Sequence, residues 1–365
     1  MGSSALPGGA PLNPYTNLKI ARQFTRLDAL RRGEQIVPTQ VELVISDLCN
    51  HDCWFCHNRL SGMPSNEHFA GSEGQRNPNR TMPTAKALET IECAASMGVR
   101  AILFSGGGEP TVHKDHALIF QKALDSGLAA GLITNGEKLT PETLALLRGF
   151  SWVRVSLDAG TPETYARVRG ISGDRFPRVL DNLRRLRCLG GPYIGVTFLV
   201  MRENIMEIEE AARVAKEAGA ESIRYSPTRT PAGAGYYGGL YSEATAAIES
   251  AKQHQTPGFE VIDQFGKKLG DLAGPPDYSF CATQQFQVYI GADMGLYRCC
   301  HLSYNDRGIV GSIKDQTFQE AWESQFKRER IEQFDARNCH FCTFNQWNRT
   351  VNDLVHSQVM HPEFL

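Results

Sequence analysis

The chain has 365 residues and a formal charge of −2 at pH 7; 41% of its residues are hydrophobic and 21% are charged. This near-neutral balance excludes the global basic field that recruits nucleic acid or an anionic membrane, so we expect neither partner. No apolar run approaches the roughly 20 residues that span a bilayer. Residues 1–38 are predicted to be an N-terminal lead-in without an export signal, and the predicted location is cytoplasmic.

From about residue 40 onward, short β-branched apolar runs alternate with amphipathic stretches. The runs predict six strands, over residues 41–46, 101–106, 130–136, 152–158, 194–200 and 222–227. Helical patterns lie between them, for example over residues 84–98, 117–127 and 208–220. Such alternation is typical of parallel strands with crossover helices. The predicted fold class is therefore α/β, with a partial (β/α)6 TIM-like barrel over residues 39–230.

Two regions depart from this alternation. Residues 58–82 are polar and rich in Gly, Pro and Asn, which predicts an insertion loop that is either disordered or a lid. After about residue 275 the alternation stops and cysteines resume. We predict a connecting segment over residues 231–274, a small C-terminal Cys-rich domain over 275–350 and a tail over 351–365.

The chain has ten cysteines, and their clustering indicates metal binding rather than disulfides. Cys49, Cys53 and Cys56 follow the first predicted strand directly. Three thiolates on one tight loop hold three irons of a four-iron cubane and leave the fourth iron open. The alternative is a zinc site with four closed ligands, in which His51 or His57 supplies the fourth. The position after the first strand of a barrel favours the cubane.

This Cys-x3-Cys-x2-Cys spacing, with Phe55 before the last cysteine, resembles the signature of the radical S-adenosylmethionine (radical SAM) superfamily. In that family the open iron chelates S-adenosylmethionine, and an electron from the cluster cleaves it to methionine and a 5′-deoxyadenosyl radical. The resemblance implies that Phe55 lies near the adenine. It also implies cofactor contacts at the ends of the next three strands, made by Gly107, Gly108 and Glu109 to the methionyl amine, by Thr134, Asn135, Ser156 and Asp158 to the ribose and carboxylate, and by Arg169 to the carboxylate.

The second cysteine group surrounds a helical pattern near the C-terminus. Four thiolates fit a 4Fe-4S cluster held entirely by protein, or a zinc site, through Cys281, Cys300, Cys339 and Cys342. The pattern resembles the auxiliary-cluster domains of the superfamily, called SPASM and twitch, and favours one auxiliary cluster. The spacing from Gly295 selects Cys300 over Cys299 as the ligand. Cys299 is then a packed thiol, a redundant ligand or the hydrogen-atom donor of an epimerase.

Relatives with auxiliary clusters act on alcohols, sugars, peptides or partner enzymes. Only 40 residues precede the first predicted strand, too few for the leader-peptide-binding domain of many peptide modifiers. We therefore expect a carbohydrate, nucleoside or other natural-product intermediate, with epimerisation or dehydrogenation as the outcome. Modification of a short peptide or maturation of a protein is the alternative, and a non-catalytic iron–sulfur or zinc protein is the alternative of another class. The resemblance also implies a flavodoxin- or ferredoxin-type electron donor.

Overall fold

The computed structural model describes residues 15–69 and 77–356, so parts of the predicted lead-in, insertion loop and tail lie outside the described residues. The described strands are β1 (Gln40–Val44), β2 (Ala101–Ser105), β3 (Ala129–Thr134), β4 (Trp152–Ser156), β5 (Tyr193–Val200), β6 (Ser222–Pro227), β7 (Glu260–Asp263), β8 (Gln287–Ile290), β9 (Gly295–Tyr297) and β10 (Ile309–Ser312). The described α-helices are α1 (Phe24–Arg31), α2 (Thr84–Ser96), α3 (His116–Asp125), α4 (Pro141–Leu147), α5 (Pro162–Arg169), α6 (Arg175–Leu189), α7 (Ile208–Glu217), α8 (Tyr241–Ala251), α9 (Phe265–Asp271), α10 (Thr283–Phe286), α11 (Phe318–Glu323), α12 (Gln325–Glu332) and α13 (Asn345–His356).

Strands β1 to β7 lie side by side in chain order, and each pairs with the next in parallel. The first six are the predicted strands, and helices connect them, which confirms the predicted partial α/β barrel. Strand β7 is a seventh parallel strand inside the predicted connecting segment. Its four residues are too short for alternation to signal a strand. No helix in the described part of the chain is both long and apolar enough to cross a membrane.

The two faces of the barrel sheet differ in polarity because successive side chains of a strand point to opposite sides. In β4, Val153 and Val155 are buried in the main hydrophobic core with residues of the surrounding helices. Arg154 lies between them and faces the opposite side, toward the barrel interior. Glu42 of β1 and Arg224 of β6 face the same interior, so this part of the barrel is polar.

The C-terminal strands continue the barrel sheet. Strand β8 pairs in parallel with β1, and β9 and β10 follow as antiparallel strands. Strand β1 therefore has β2 on one side and the C-terminal region on the other. The predicted domain boundaries stay predictions, but this pairing holds the two cysteine-bearing regions against one strand.

The predicted insertion loop over residues 58–82 is described except for residues 70–76. Its Met63 is buried in a small hydrophobic cluster with Leu272 and Phe341. The described part of this loop therefore packs onto the C-terminal region.

A buried carboxylate joins three parts of the chain directly before the first cysteine loop. Asp47 accepts a hydrogen bond from the hydroxyl of Tyr304 at 2.5 Å and pairs with Arg80 at 2.6 Å. Burial raises the pKa of Asp47 to about 6, although Arg80 and Tyr304 act to lower it. Asp47 thereby connects the barrel, the insertion loop and the C-terminal region.

We expect Asp47→Ala to lower the free energy of unfolding by about 3 kcal/mol, because it leaves the buried Tyr304 hydroxyl and the partly buried Arg80 guanidinium without their partner. This value is at the lower end for a buried pair, since Arg80 is 31% exposed. Tyr304→Phe removes the hydrogen bond to Asp47 and a longer one from the N–H of Ala292, at 3.4 Å, and should cost about 1.5 kcal/mol. Anaerobic urea unfolding followed by circular dichroism measures both. Equal losses in the two variants would contradict the joining role of Asp47.

Candidate active site and auxiliary metal site

The first cysteine loop begins at the C-terminal end of β1. The N–H of Cys56 donates to the carbonyl of Cys53 at 3.3 Å, so the loop turns tightly. Burial raises the pKa of Cys56 to about 11, and burial, then Glu109 and the neighbouring thiols, raise the pKa of Cys49. The bare thiols are therefore protonated at neutral pH, and binding a metal would release protons.

A buried guanidinium lies beside this loop. Arg169, the last residue of α5, donates from Nη1 to Sγ of Cys53 at 3.5 Å and lies 5.8 Å from the centre of the Phe55 ring. It also pairs with Asp158 at 2.8 Å. Its Nε is buried without a hydrogen-bond partner among the described residues. A cation at this position stabilises the thiolate form of a cysteine, as a bound cluster requires.

Glu109 is buried close to Cys49 and already holds several donors. Its carboxylate accepts hydrogen bonds from the hydroxyls of Thr111 and Thr134, at 2.8 and 2.7 Å, and from the N–H of Asn135 at 2.7 Å. Burial raises the pKa of Glu109, and these hydrogen bonds lower it. Among the described residues, Oε2 accepts only the Asn135 bond and so has capacity for one more donor. A carboxylate oxygen with this capacity can accept a hydrogen bond from an ammonium group, and that role of Glu109 stays a prediction.

Gly107 and Gly108 are required by contact with the chain that leads to the cysteine loop. A Cβ at Gly107 would lie 2.2 Å from Oδ1 of Asp47, and one at Gly108 would lie 2.1 Å from the carbonyl of Leu48. Only glycine permits this approach. The contact brings Glu109 next to the cysteine loop; a direct contact between the glycines and a ligand stays a prediction.

The turn after β3 anchors the cysteine loop from the other side. The side-chain amide of Asn135 donates to Asn50 at 2.8 Å. Glu137, in the same turn, accepts from Asn50 at 2.8 Å, lies 3.0 Å from Nε2 of His51 and pairs with Arg175. Glu137 was not predicted from the sequence, where its only signal is a carboxylate in a turn at the C-terminal end of a strand.

The turn after β4 holds Arg169. Asp158 accepts from the N–H of Leu199 at 2.7 Å in addition to its ion pair, and the carbonyl of Ser156 accepts from Arg169. The predicted cofactor-binding residues are therefore gathered around the cysteine loop, where many of them bind one another. Their direct contacts with S-adenosylmethionine stay predictions.

Four C-terminal cysteines line one cavity, namely Cys281, Cys299, Cys339 and Cys342. Burial raises the pKa of Cys281 to about 12 and that of Cys339 to about 11. Arg298 lines the same cavity, is 2% exposed, and has its guanidinium 3.8 Å from the centre of the Phe334 ring. This cation offsets part of the negative charge that four thiolates carry.

The side chains of Cys299 and Cys300 point in different directions. The backbone at Cys299 is extended, with φ −166° and ψ 166°, so neighbouring side chains face opposite sides. Cys299 faces the cysteine-lined cavity, whereas Sγ of Cys300 accepts from Nη1 of Arg229 at 3.8 Å. We therefore propose Cys299 as the fourth ligand, the reverse of the assignment from the spacing to Gly295.

Two family models match the chain. The Radical SAM superfamily model matches residues 43–215, and the SPASM model, an iron-sulfur cluster-binding domain, matches residues 281–343. The chain belongs to the radical SAM superfamily and carries a C-terminal SPASM iron–sulfur domain. The predicted family and α/β fold class are confirmed.

The chain is similar to known proteins over three quarters or more of its length. The AdoMet-dependent heme synthase of Methanosarcina barkeri is 26% identical over 304 residues, covering 76% of this chain and 84% of that protein. The mycofactocin maturase MftC of Mycobacterium tuberculosis is 26% identical over 285 residues, covering 75% and 71%. The structure of Streptococcus suis SuiB bound to precursor peptide SuiA has a TM-score of 0.62 at 14% identity, covers 92% of this chain and 75% of that chain, and shows the common fold.

The cofactors are S-adenosylmethionine and two 4Fe-4S clusters, as predicted. The residues fit them, because one loop offers three thiols and the C-terminal cavity is lined by four, each set beside a buried guanidinium. When bound, the first cluster and S-adenosylmethionine supply the one-electron chemistry that produces an organic radical.

Iron analysis after anaerobic reconstitution tests the ligand sets. We expect about eight irons per chain in the wild type, and about four in Cys299→Ala, which loses a ligand of the auxiliary cluster. Cys300→Ala is the matched control and should keep about eight. The triple change of Cys49, Cys53 and Cys56 to Ala should leave about four. Loss of iron in Cys300→Ala alone would contradict the proposed ligands. Zinc in the second site would contradict an auxiliary iron–sulfur cluster there.

Glu109→Gln tests the ammonium contact without a large change in shape. We expect S-adenosylmethionine to bind about 10- to 100-fold more weakly, because a charge-assisted hydrogen bond contributes about 1.5–3 kcal/mol. Thr111→Val keeps the carboxylate and should change affinity by less than about threefold. Equilibrium dialysis measures both affinities, with iron content as the control for folding. Unchanged affinity in Glu109→Gln would mean that this carboxylate has only a structural role.

Proposed function

We propose that this protein is a radical SAM enzyme that abstracts a hydrogen atom from a peptide and modifies it. The observation that carries the proposal is the similarity to MftC, a maturase, over 285 residues. The likeness in fold to SuiB, whose structure contains a precursor peptide, agrees with it. The peptide alternative therefore has better support than the carbohydrate, nucleoside or other natural-product intermediate that we expected from the short N-terminal segment.

In this proposal the residues around the cysteine loop hold and orient the cofactors. Arg169 balances the negative charge of the Cys53 thiolate, and Glu109 accepts a hydrogen bond from the ammonium group of S-adenosylmethionine. The interior of a closed (β/α) barrel is filled with layers of bulky side chains, whereas here Glu42 and Arg154 make it polar. The substrate enters this polar interior, close to the site where the radical forms.

A redox-neutral outcome needs a hydrogen donor, and we propose Cys300 for that role. Arg229 donates to its Sγ at 3.8 Å, and Glu42 lies nearby. Cys299, for which a donor role was one of three alternatives from the sequence, is a cluster ligand in this proposal and has no free thiol. A flavodoxin or ferredoxin supplies one electron for the cleavage of S-adenosylmethionine and a second electron that, with a proton, returns the Cys300 thiyl radical to the thiol.

A second candidate substrate is a heme precursor. The similarity to the AdoMet-dependent heme synthase favours it, because the match covers 84% of that protein. The two candidates differ in the class of molecule that must enter the barrel.

Anaerobic turnover separates the candidates. The reconstituted enzyme is supplied with S-adenosylmethionine, dithionite and either the deuterated short peptides encoded beside its gene or iron-coproporphyrin III. We expect a peptide-dependent mass change and transfer of deuterium from the peptide to 5′-deoxyadenosine. The triple Ala variant of the first cysteine loop is the control and should be inactive. Turnover of the porphyrin alone would select the second candidate, and no turnover of either would contradict both.

A further inference from the structure

The barrel interior carries an excess of positive charge. Arg154 of β4 and Arg224 of β6 both face inward, because their strand neighbours Val153 and Ile223 lie in the outer core. Arg229 follows β6 by two residues and lies close enough to influence the pKa of Arg224. Three guanidinium groups therefore converge on one space inside the sheet.

The hydrogen-bond partners of the two strand arginines are neutral. Nη1 of Arg154 donates to the hydroxyl of Tyr15 at 3.3 Å, and Nη2 of Arg224 donates to Thr197 at 3.3 Å. The guanidinium of Arg224 lies 4.9 Å from the centre of the Tyr15 ring. Nε of each arginine is buried and has no hydrogen-bond partner in the part of the chain that the structure describes.

The nearby carboxylates offset this charge only in part. Asp158 is paired with Arg169 at 2.8 Å. Glu42 accepts a hydrogen bond from Ser105 at 2.5 Å; burial raises its pKa, while Ser105, Arg229 and Arg154 act to lower it. Among residues 15–69 and 77–356, neither Arg154 nor Arg224 forms an ion pair with a carboxylate.

Two titrating groups respond to the resulting positive potential. Burial, followed by the charge of Arg154, lowers the pKa of Arg224 to about 9. Burial acts to raise the pKa of Tyr15, but the two strand arginines together lower it. In each case the contribution of the neighbouring arginines has the direction that a cationic interior produces.

A buried cation without a counter-charge is costly, and an anionic ligand removes that cost. The planar fork of arginine matches the two oxygens of a carboxylate. We propose that Arg154 and Arg224 bind a carboxylate of the substrate inside the barrel, next to Tyr15. That this carboxylate belongs to a peptide, as an acidic side chain or a free C-terminus, rests on the proposed function.

Binding of glutarate to the reconstituted holoenzyme tests the site. Glutaramide is the neutral analogue, and thermal unfolding at constant ionic strength gives both affinities. We expect glutarate, but not glutaramide, to raise the unfolding temperature of the wild type. Arg154→Gln and Arg224→Gln should each bind glutarate at least about tenfold more weakly, because each loses a charge-assisted contact. Equal effects of the two compounds, or unchanged binding in the variants, would overturn the proposal.

Two controls keep the test independent of folding and surface charge. Arg213→Gln removes an exposed arginine that pairs with Glu210 and Glu217 on α7, and should bind glutarate as the wild type does. Arg224→Lys keeps the interior charge but loses the planar fork, so it should recover only part of the glutarate affinity that Arg224→Gln loses. Failure of the lysine variant to recover binding, in a chain with full iron content, would count against charge recognition.

Failure of the carboxylate site and failure of the proposed function give different results. Carboxylate-specific binding without turnover of any peptide would support this site while contradicting the peptide substrate. If the enzyme turns over a peptide and the fully amidated form of that peptide at equal rates, the peptide substrate is supported and the carboxylate site is overturned. Tighter binding of inorganic phosphate than of glutarate at equal ionic strength would also overturn it.

Discussion

The structure depends on the hydrogen bonding of β1 along both of its edges. One edge pairs with β2, whose end carries Glu109, and the other pairs with β8 of the C-terminal region. The first cysteine loop extends from the end of this same strand, and Asp47 joins it to Tyr304 of the C-terminal region. Because one strand is shared, the distance between the two metal-binding regions is set by backbone hydrogen bonds rather than by a flexible linker.

Around that strand, buried charges hold the cysteine loop in place. Glu109, Glu137 and Arg169 come from three different strand ends or helices, and each contacts the loop or its immediate neighbours. A buried charge without partners is costly, so each of these groups strongly favours the single arrangement that satisfies it. The same residues thus serve both stability and the preorganisation of a cofactor site.

The arginines inside the barrel differ from these paired charges. Arg154 and Arg224 do not complete an ion pair with a carboxylate in the described chain, so they add little to stability and suit a ligand that arrives from outside. They lie inside the barrel close to Arg229, which contacts Cys300. The proposed carboxylate recognition therefore occurs near the proposed hydrogen donor. The positive charge of this interior therefore restricts the class of possible substrates more than the fold does.

The sequence by itself determined the strand–helix alternation, the three-cysteine loop and the family, because these are local patterns whose spacing reflects backbone geometry. It did not determine the short strand β7, the anchoring by Glu137, or the inward position of Arg154, since these depend on contacts between residues distant in the chain. The choice between Cys299 and Cys300 also required the tertiary structure. Adjacent side chains on an extended backbone face opposite sides, and only the fold decides which side holds the other three cysteines.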